Sequence, residues 1–273
     1  MPRISSQTWT SLFFAALLMG SAQTNFAAGP VKANVGSTSQ RHKQEAIRAI
    51  PFDRLKPEMG KRLRTIINRT SVYRRMPVKP IHCDKDLYTF LVRHPNVIVG
   101  MWRVMDITNV SLQQLAPYRY RAADGSGTNC DVELVYGTPH LHVYLAKGYY
   151  QGTLFRRKLT GRCILVVRSS HNQRRGKPNQ VDTTMDVFLQ IDNVGLQLVA
   201  RTFHPLVGKT ADSNFMDSVD FLAQVSQVAE KNGRRMSNLA VRLKDIDVKT
   251  KRKLVELSVQ AQRRSQLRLA KKK

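Results

Sequence analysis

Apolar residues along this chain follow two periods, with helical spacing on both flanks and alternation in the middle. From Asp53 onward, Leu55, Met59, Leu63, Ile66 and Ile67 recur every three to four positions with Lys and Arg between them, which predicts a basic amphipathic helix over residues 51–69. Val72 to Val78 reads as a short extended stretch, and Pro77 with Pro80 confines it to a sheet edge or a linker. Asp84 is placed to cap a short helix with Leu87, Phe90 and Leu91 on one face. His94-Pro95 closes it, because the residue before a proline is pushed out of helical space. Pro95 opens a second helix carrying Ile98, Met101, Trp102 and Met105.

From Val110 the period changes to two. Strands are predicted around residues 110–121, 129–136, 140–147, 161–170 and 183–191, separated by turn material such as Asp124-Gly125-Ser126-Gly127 and Gly137-Thr138-Pro139. Connections this short make an antiparallel meander. In the last strand Met185, Val187, Leu189 and Ile191 alternate with Thr184, Asp186 and Gln190, the pattern of a sheet with one dry face. Helical spacing then returns at Leu196, Val199, Ala200 and Phe203, ending at Pro205. A longer helix follows, capped by Asp212 or Ser213, with Phe215, Val219, Leu222, Ser226 and Ala229 on one face and Asn232-Gly233 as its stop. The last forty residues keep only a weak stripe at Leu254, Leu257 and Ala261 and read as a basic tail, partly helical.

The start of the chain has a different logic. An apolar run from Leu12 to Met19 follows one Arg and precedes the small residues Gly20-Ser21-Ala22, which reads as a cleaved export signal over residues 1–22. The run is too short for a bilayer span, which needs about 20 apolar residues. The mature chain is therefore expected outside the cytoplasm, whether periplasmic, in the cell envelope or secreted. Residues 23–50, polar for most of their length, read as a flexible leader. With 273 residues and 42% hydrophobic content the remainder holds one well-filled core, placed at residues 70–233, with residues 234–273 as the tail.

The formal net charge of +26 is concentrated in the flanks. Residues 41–79 carry 12 Lys and Arg against 3 Asp and Glu, residues 234–273 carry 14 against 3, and the long middle from 80 to 233 carries 17 against 13. Attraction to polyanions therefore belongs to the arms, and the expected partner is an anionic surface of lipid headgroups or acidic polymer. The tail has no aromatic residue to stack on bases, so sequence-specific nucleic-acid binding is not expected. Three cysteines in an oxidising compartment leave one unpaired. Alternation puts Cys130 in phase with Val132, Leu134 and Tyr136, and Cys163 in phase with Leu165 and Val167. Either a Cys130–Cys163 bridge or two buried free thiols fits.

An extended edge, two short helices at 84–105, an antiparallel meander at 110–191 and a closing helix at 212–231 together resemble the helix-grip fold of the START and Bet v 1-like superfamily. The resemblance is one of layout and covers roughly residues 70–231. It implies an α+β fold in which a curved antiparallel sheet wraps a long C-terminal helix and an apolar or amphiphilic ligand sits between them. The export signal, the basic arms and the added helix near 193–204 depart from that layout.

Chemistry-bearing residues are few. His140, His142 and Tyr144 alternate with Leu141, Val143 and Leu145, which places the two imidazoles about 7 Å apart on one strand face. No third ligand stands at local spacing and no Cys-x-x-Cys occurs, so neither a metal nor a cofactor is expected. Asp131 and Glu133 share the water side of their strand, and no motif of a readable enzyme class appears. The ligand-binding set is Trp102, Tyr136, His140, His142, Tyr144 and Phe215. The anion-binding set is Arg156, Arg157 and Lys158 at a strand end with Arg174, Arg175 and Lys177 in a loop. The chain as a whole points to an exported, non-enzymatic protein that holds an amphiphilic small molecule and docks on an anionic surface by its arms. Its rival is a structural, polyanion-binding envelope protein with a filled core, and a third option is an enzyme on the same core.

Overall fold

The computed structural model describes residues 35–152, 157–172, 179–192 and 208–270. Eight antiparallel strands form one sheet: β1 Val72–Arg75, β2 Lys79–His82, β3 Ser111–Ala116, β4 Arg119–Ala123, β5 Thr128–Gly137, β6 Leu141–Tyr150, β7 Leu159–Asn172 and β8 Gln180–Ile191. Their order is β1-β8-β7-β6-β5-β4-β3, with β2 continuing the β1 edge along β8. The meander thus runs from β3 to β8, and the extended stretch at Val72–Arg75 pairs back onto its last strand. Two helices, α3 Lys85–Arg93 and α4 Pro95–Val104, separate that edge from the meander, and α5 Lys209–Lys231 follows it. This is an α+β architecture with the layout of a helix-grip fold. Asp84 caps α3 as its position predicts, its Oδ1 accepting from the N–H of Asp86 and Leu87.

Three features depart from expectation. Residues 110–121 do not form one strand but a hairpin, β3 and β4, that turns at Pro117-Tyr118 with Tyr118 at φ 62°. The left-handed turn position is filled by tyrosine rather than glycine or asparagine, so the usual turn signal is missing.

The sheet also has two dry faces. Helices α1 Gln40–Ala49 and α2 Pro57–Asn68 lie on the face carrying Val143, Ile164, Val166 and Phe188, and Ala46, Ile50, Leu63 and Ile66 close a second core there. Thr184, Asp186 and Gln190, read as the wet side of β8, are all buried. The leader expected to be flexible over residues 23–50 is, in its described part, a capped helix preceded by an edge pairing of Ser37 with Arg75. Gly36 is held so closely that a Cβ would lie 2.5 Å from Asp212 and 2.6 Å from the Arg75 carbonyl.

The residues read as a tail are the third departure. They fold into α6 Gly233–Arg242 and α7 Val248–Ala270, which pack on α5 and α3 and bury Met236, Ala240, Leu243, Ile246, Leu254, Leu257 and Ala261 in the main core. The weak stripe at Leu254, Leu257 and Ala261 is therefore a packed seam. The predicted export signal at residues 1–22 and the predicted helix near 193–204 lie outside the described residues. No described helix is long and apolar enough to cross a membrane.

Candidate functional site

Among the described residues, large side chains of the chain itself pack between sheet and closing helix. Tyr88, Tyr120, Tyr144 and Tyr150 are all under 2% exposed, packed with Met101, Leu87 and Leu91. Two of these tyrosines have a structural task. The last turn of α3 leaves carbonyls without intrahelical partners, and Tyr144 Oη donates to that of Val92 while Tyr120 Oη donates to that of Arg93 at 3.1 Å. Trp102 packs its ring on Phe221, centroids 5.6 Å apart, and Phe215 lies in the same core at 4% exposure.

The imidazoles expected side by side have different surroundings. His142 is fully buried, and its Nε2 accepts from Arg93 Nε at 3.2 Å. Burial first, then the Arg93 charge and His171, pushes its pKa down to about 4, so it stands neutral. His140 lies exposed at the strand end, its Nδ1 3.2 Å from the Ser169 carbonyl and its ring 5.2 Å from that of His171. Tyr136 falls out of phase with Cys130 and Val132, because a bulge between Leu134 and Tyr136 shifts the register of β5 on β6. Its ring packs with the second core, and its hydroxyl accepts from Arg54 Nη1 at 3.4 Å. Of the six expected ligand contacts, Trp102, Tyr144 and Phe215 thus share the main core, His142 is buried against Arg93, and Tyr136 and His140 are placed elsewhere.

A groove of about 360 Å³ opens where Ala49 of α1, Val78, His140 and Leu141 meet Arg168, Ser170, Asp182 and Thr184 of β7 and β8. Beside it lies a buried charge network. Asp186, 0% exposed, accepts from Tyr73 Oη at 2.6 Å and Arg75 Nε at 2.7 Å on one oxygen, and from Arg168 Nη2 at 2.8 Å on the other. Arg75 continues to Glu45 Oε2 at 2.7 Å and to the His42 carbonyl at 2.9 Å. The network therefore ties α1, β1, β8 and β7 together and fixes Arg168 at the groove. The sequence reading missed it, although one signal was present: Asp186 is the one charged residue between Thr183 and Ile191.

Cations dominate the exposed surface. Arg157 and Lys158 of the expected anion-binding set are exposed, with Lys158 Nζ 4.0 Å from the centre of the Tyr149 ring; Arg156, Arg174, Arg175 and Lys177 lie outside the described residues. On α6, α7 and their connection, Arg234, Arg235, Arg242, Lys244, Lys249 and Arg252 are exposed and form no ion pair among the described residues. Charge on a packed helix is spatially fixed, which a flexible tail is not. Among the described residues no group of three or more His, Cys, Asp or Glu is arranged to hold a metal.

These features define an α+β sheet-and-helix protein with a self-filled core and a cationic helical surface. No family model matches the chain, and no curated protein matches it. Among solved structures it is similar to that described as the di-domain ARO/CYC BexL from the BE-7585A biosynthetic pathway, at 13% identity and a TM-score of 0.29. The match covers 59% of this chain and 52% of that one, so the chain spans about half the length of BexL.

Proposed function

We propose that this chain is a non-enzymatic binding protein that docks on an anionic partner through cations carried by folded helices, on a helix-grip core of START and Bet v 1-like kinship filled by its own side chains. One observation carries this: α6, α7 and their connection hold at least six exposed Lys and Arg with no ion-pair partner among the described residues, on helices whose other faces are locked into the core. Fixed cations at a surface attract polyanions over about 8–10 Å at moderate salt. The export signal read in residues 1–22 completes the proposal, placing the encounter outside the cytoplasm.

Titration of the full chain with heparin across a range of sodium chloride concentrations tests it. The affinity should fall linearly on a log–log plot against salt, as counterion release requires. Replacing Arg234, Arg235 and Arg252 by Glu should flatten the slope. Absent or salt-independent binding overturns the proposal.

A second reading, small-ligand binding, is favoured by the groove beside Arg168, whose volume of about 360 Å³ falls in the range of about 300–1,000 Å³ typical of ligand sites. Mass spectrometry of molecules released on denaturing the purified chain tests it. A stoichiometric amphiphile supports a carrier, and an empty chain removes that reading.

A further inference from the structure

Ten large apolar side chains stand exposed among the described residues, and five of them belong to α4 or to elements packed along it. Met105 follows α4, Leu115 and Tyr118 belong to the β3–β4 hairpin, and Val241 and Val248 bracket the connection between α6 and α7. The connection is pinned along α4. Arg103 Nη1 pairs with Asp245 Oδ2 at 2.5 Å, and Gly100 leaves so little room that a Cβ there would sit 3.3 Å from Leu243 Cδ2. At the start of α4, His94 packs on Tyr118 with ring centroids 5.7 Å apart, Asn96 Nδ2 donates to Gln114 Oε1 at 3.3 Å beside Leu115, and Asp247 acts on His94 through its charge. The hairpin, α4 and the α6–α7 connection therefore make up one end of the molecule, along which α4 runs about 15 Å from the hairpin at His94 to Met105. Val241 is 78% exposed and Val248 71%, aliphatic surface that the fold leaves open to a partner.

Cations surround them. Arg119, Arg242, Lys244 and Lys249 are exposed and without an ion-pair partner among the described residues. The neighbouring acids are largely committed: Asp245 to Arg103, and Asp247 to the N–H of Thr250 at 2.9 Å as it caps α7. Asp106, exposed, and Glu133, half-buried opposite Arg119 in the sheet, are the remaining acids of this end. An aliphatic centre with a cationic rim fits a bilayer whose headgroups are anionic, where apolar groups enter the interface and Lys and Arg meet phosphates. A second copy would set the same cations against one another in a two-fold contact, on a chain of net charge +26. Nucleic acid offers no apolar layer to receive Leu115, Val241 and Val248.

We propose that this end of the molecule docks on an anionic lipid bilayer, with Met105, Leu115, Tyr118, Val241 and Val248 entering the headgroup region. This rests on the anionic-partner function proposed above and names the partner.

Vesicle sedimentation with the full chain tests it, using phosphatidylcholine alone and with about 30 mol% phosphatidylserine. The chain should bind the anionic vesicles and leave the neutral ones. The triple variant L115S/V241S/V248S should bind anionic vesicles at least about tenfold more weakly while its heparin affinity stays within about twofold. Where the triple variant melts early, V248D alone carries the comparison. The variant R48S/R62S, on the opposite helical layer, should bind vesicles as the parent does. Equal vesicle binding by the triple variant, or an equal loss in R48S/R62S, overturns the proposal. Binding to heparin without binding to vesicles removes the lipid partner alone, and binding to neither removes the anionic-partner function as well.

Discussion

Arg264 holds both carboxylate oxygens of Asp84 at 2.8 Å across 180 positions of sequence. Asp84 is 3% exposed, caps α3 with the same carboxylate, and donates its own N–H to Ser226 Oγ of α5 at 2.8 Å. One residue thus joins α3, α5 and α7. Arg268 repeats the arrangement one turn later, pairing with Glu230 of α5 at 3.0 Å. These pairs make α7 part of the fold and fix where its remaining cations point.

Breaking the first pair from the buried side should be costly. Asp84→Ala removes a helix cap and the two short bonds to Arg264, whose half-exposed guanidinium keeps only Asp86 at 3.2 Å, which together cost about 2–4 kcal/mol. Arg264→Gln should cost less, because its side chain is 40% exposed and water can reach the space it leaves. Urea unfolding of both variants measures this. An Asp84→Ala chain within 1 kcal/mol of the parent, roughly the worth of a cap alone, would show that the pair does not lock the helices.

Asp186 is the sharper case, because its carboxylate answers two guanidiniums at zero exposure. Asp186→Asn keeps the shape and removes the charge, leaving Arg75 and Arg168 facing each other. Arg75 keeps Glu45, so the charge left without an acid is that of Arg168, 30% exposed, and a loss of about 2–3 kcal/mol follows. Arg168→Met added to Asp186→Asn should recover part of that loss, since it removes the stranded charge. Thermal unfolding of the single and double variants decides it: a double variant less stable than the single one contradicts the account.

How far the residues alone disclose this molecule depends on which interactions they advertise. The α3 cap at Asp84, the Pro95 start of α4, the alternation of β8 and the Phe215–Ala229 stripe each follow local rules, and each is present. What stayed hidden depends on partners far away. A polar β8 face looks solvated until α1 and α2 cover it, and Gln40–Ala49 looks polar because a single buried alanine and Ile50 anchor it. Alternation puts Tyr136 on the face of Cys130, and a bulge, which leaves no mark in an alternating sequence, turns it to the other. The basic arms read as solvated runs because their acid partners, Asp84 and Glu230, stand far off in the chain. For the candidate site, composition disclosed the cationic flanks, while their attachment to packed helices is a tertiary fact.

His142 makes stability depend on acidity in a defined window. Its folded pKa is pushed down to about 4, while an unfolded histidine titrates near 6.5. Between those values the unfolded chain binds the extra proton, so stability rises with pH across the window and is lost as pH falls from about 6.5 to about 4. The loss amounts to at most about 3 kcal/mol. His94, pushed down by its own burial, acts in the same direction, and Glu45, whose carboxyl Arg75 holds below its ordinary value, acts at lower pH still. Urea unfolding at pH 7 and at pH 4.5 should show His142→Gln losing markedly less than the parent. Identical pH slopes would mean that His142 is protonated in the folded chain.

The three thiols offer a test of the sheet register itself. Cys130 faces Gly148 and Cys163 faces Ala146, so β6 runs between the two cysteines. Strands two apart are separated by about 9–10 Å, beyond the Cα spacing of about 4.4–6.8 Å that a disulfide needs. Both sulfurs share the main core, as their alternation predicts, yet they are free, as is Cys83. Burial pushes Cys83 and Cys130 up to about 12 and Cys163 higher, so none is a thiolate near neutrality. The folded chain at pH 8 should therefore leave an aromatic disulfide reagent unconsumed, and unfolding in guanidinium should release three equivalents. Release of one equivalent after unfolding would mean that a pair is bridged, and a Cys130–Cys163 bridge would require β5 or β7 to be displaced from β6. Gly148→Ala probes the same spot from the other side: its Cβ would lie 2.4 Å from that of Cys130 and 2.2 Å from the Asn129 carbonyl. Forcing β5 away from β6 costs about 1–3 kcal/mol or more, and it should make Cys130 the first thiol to react.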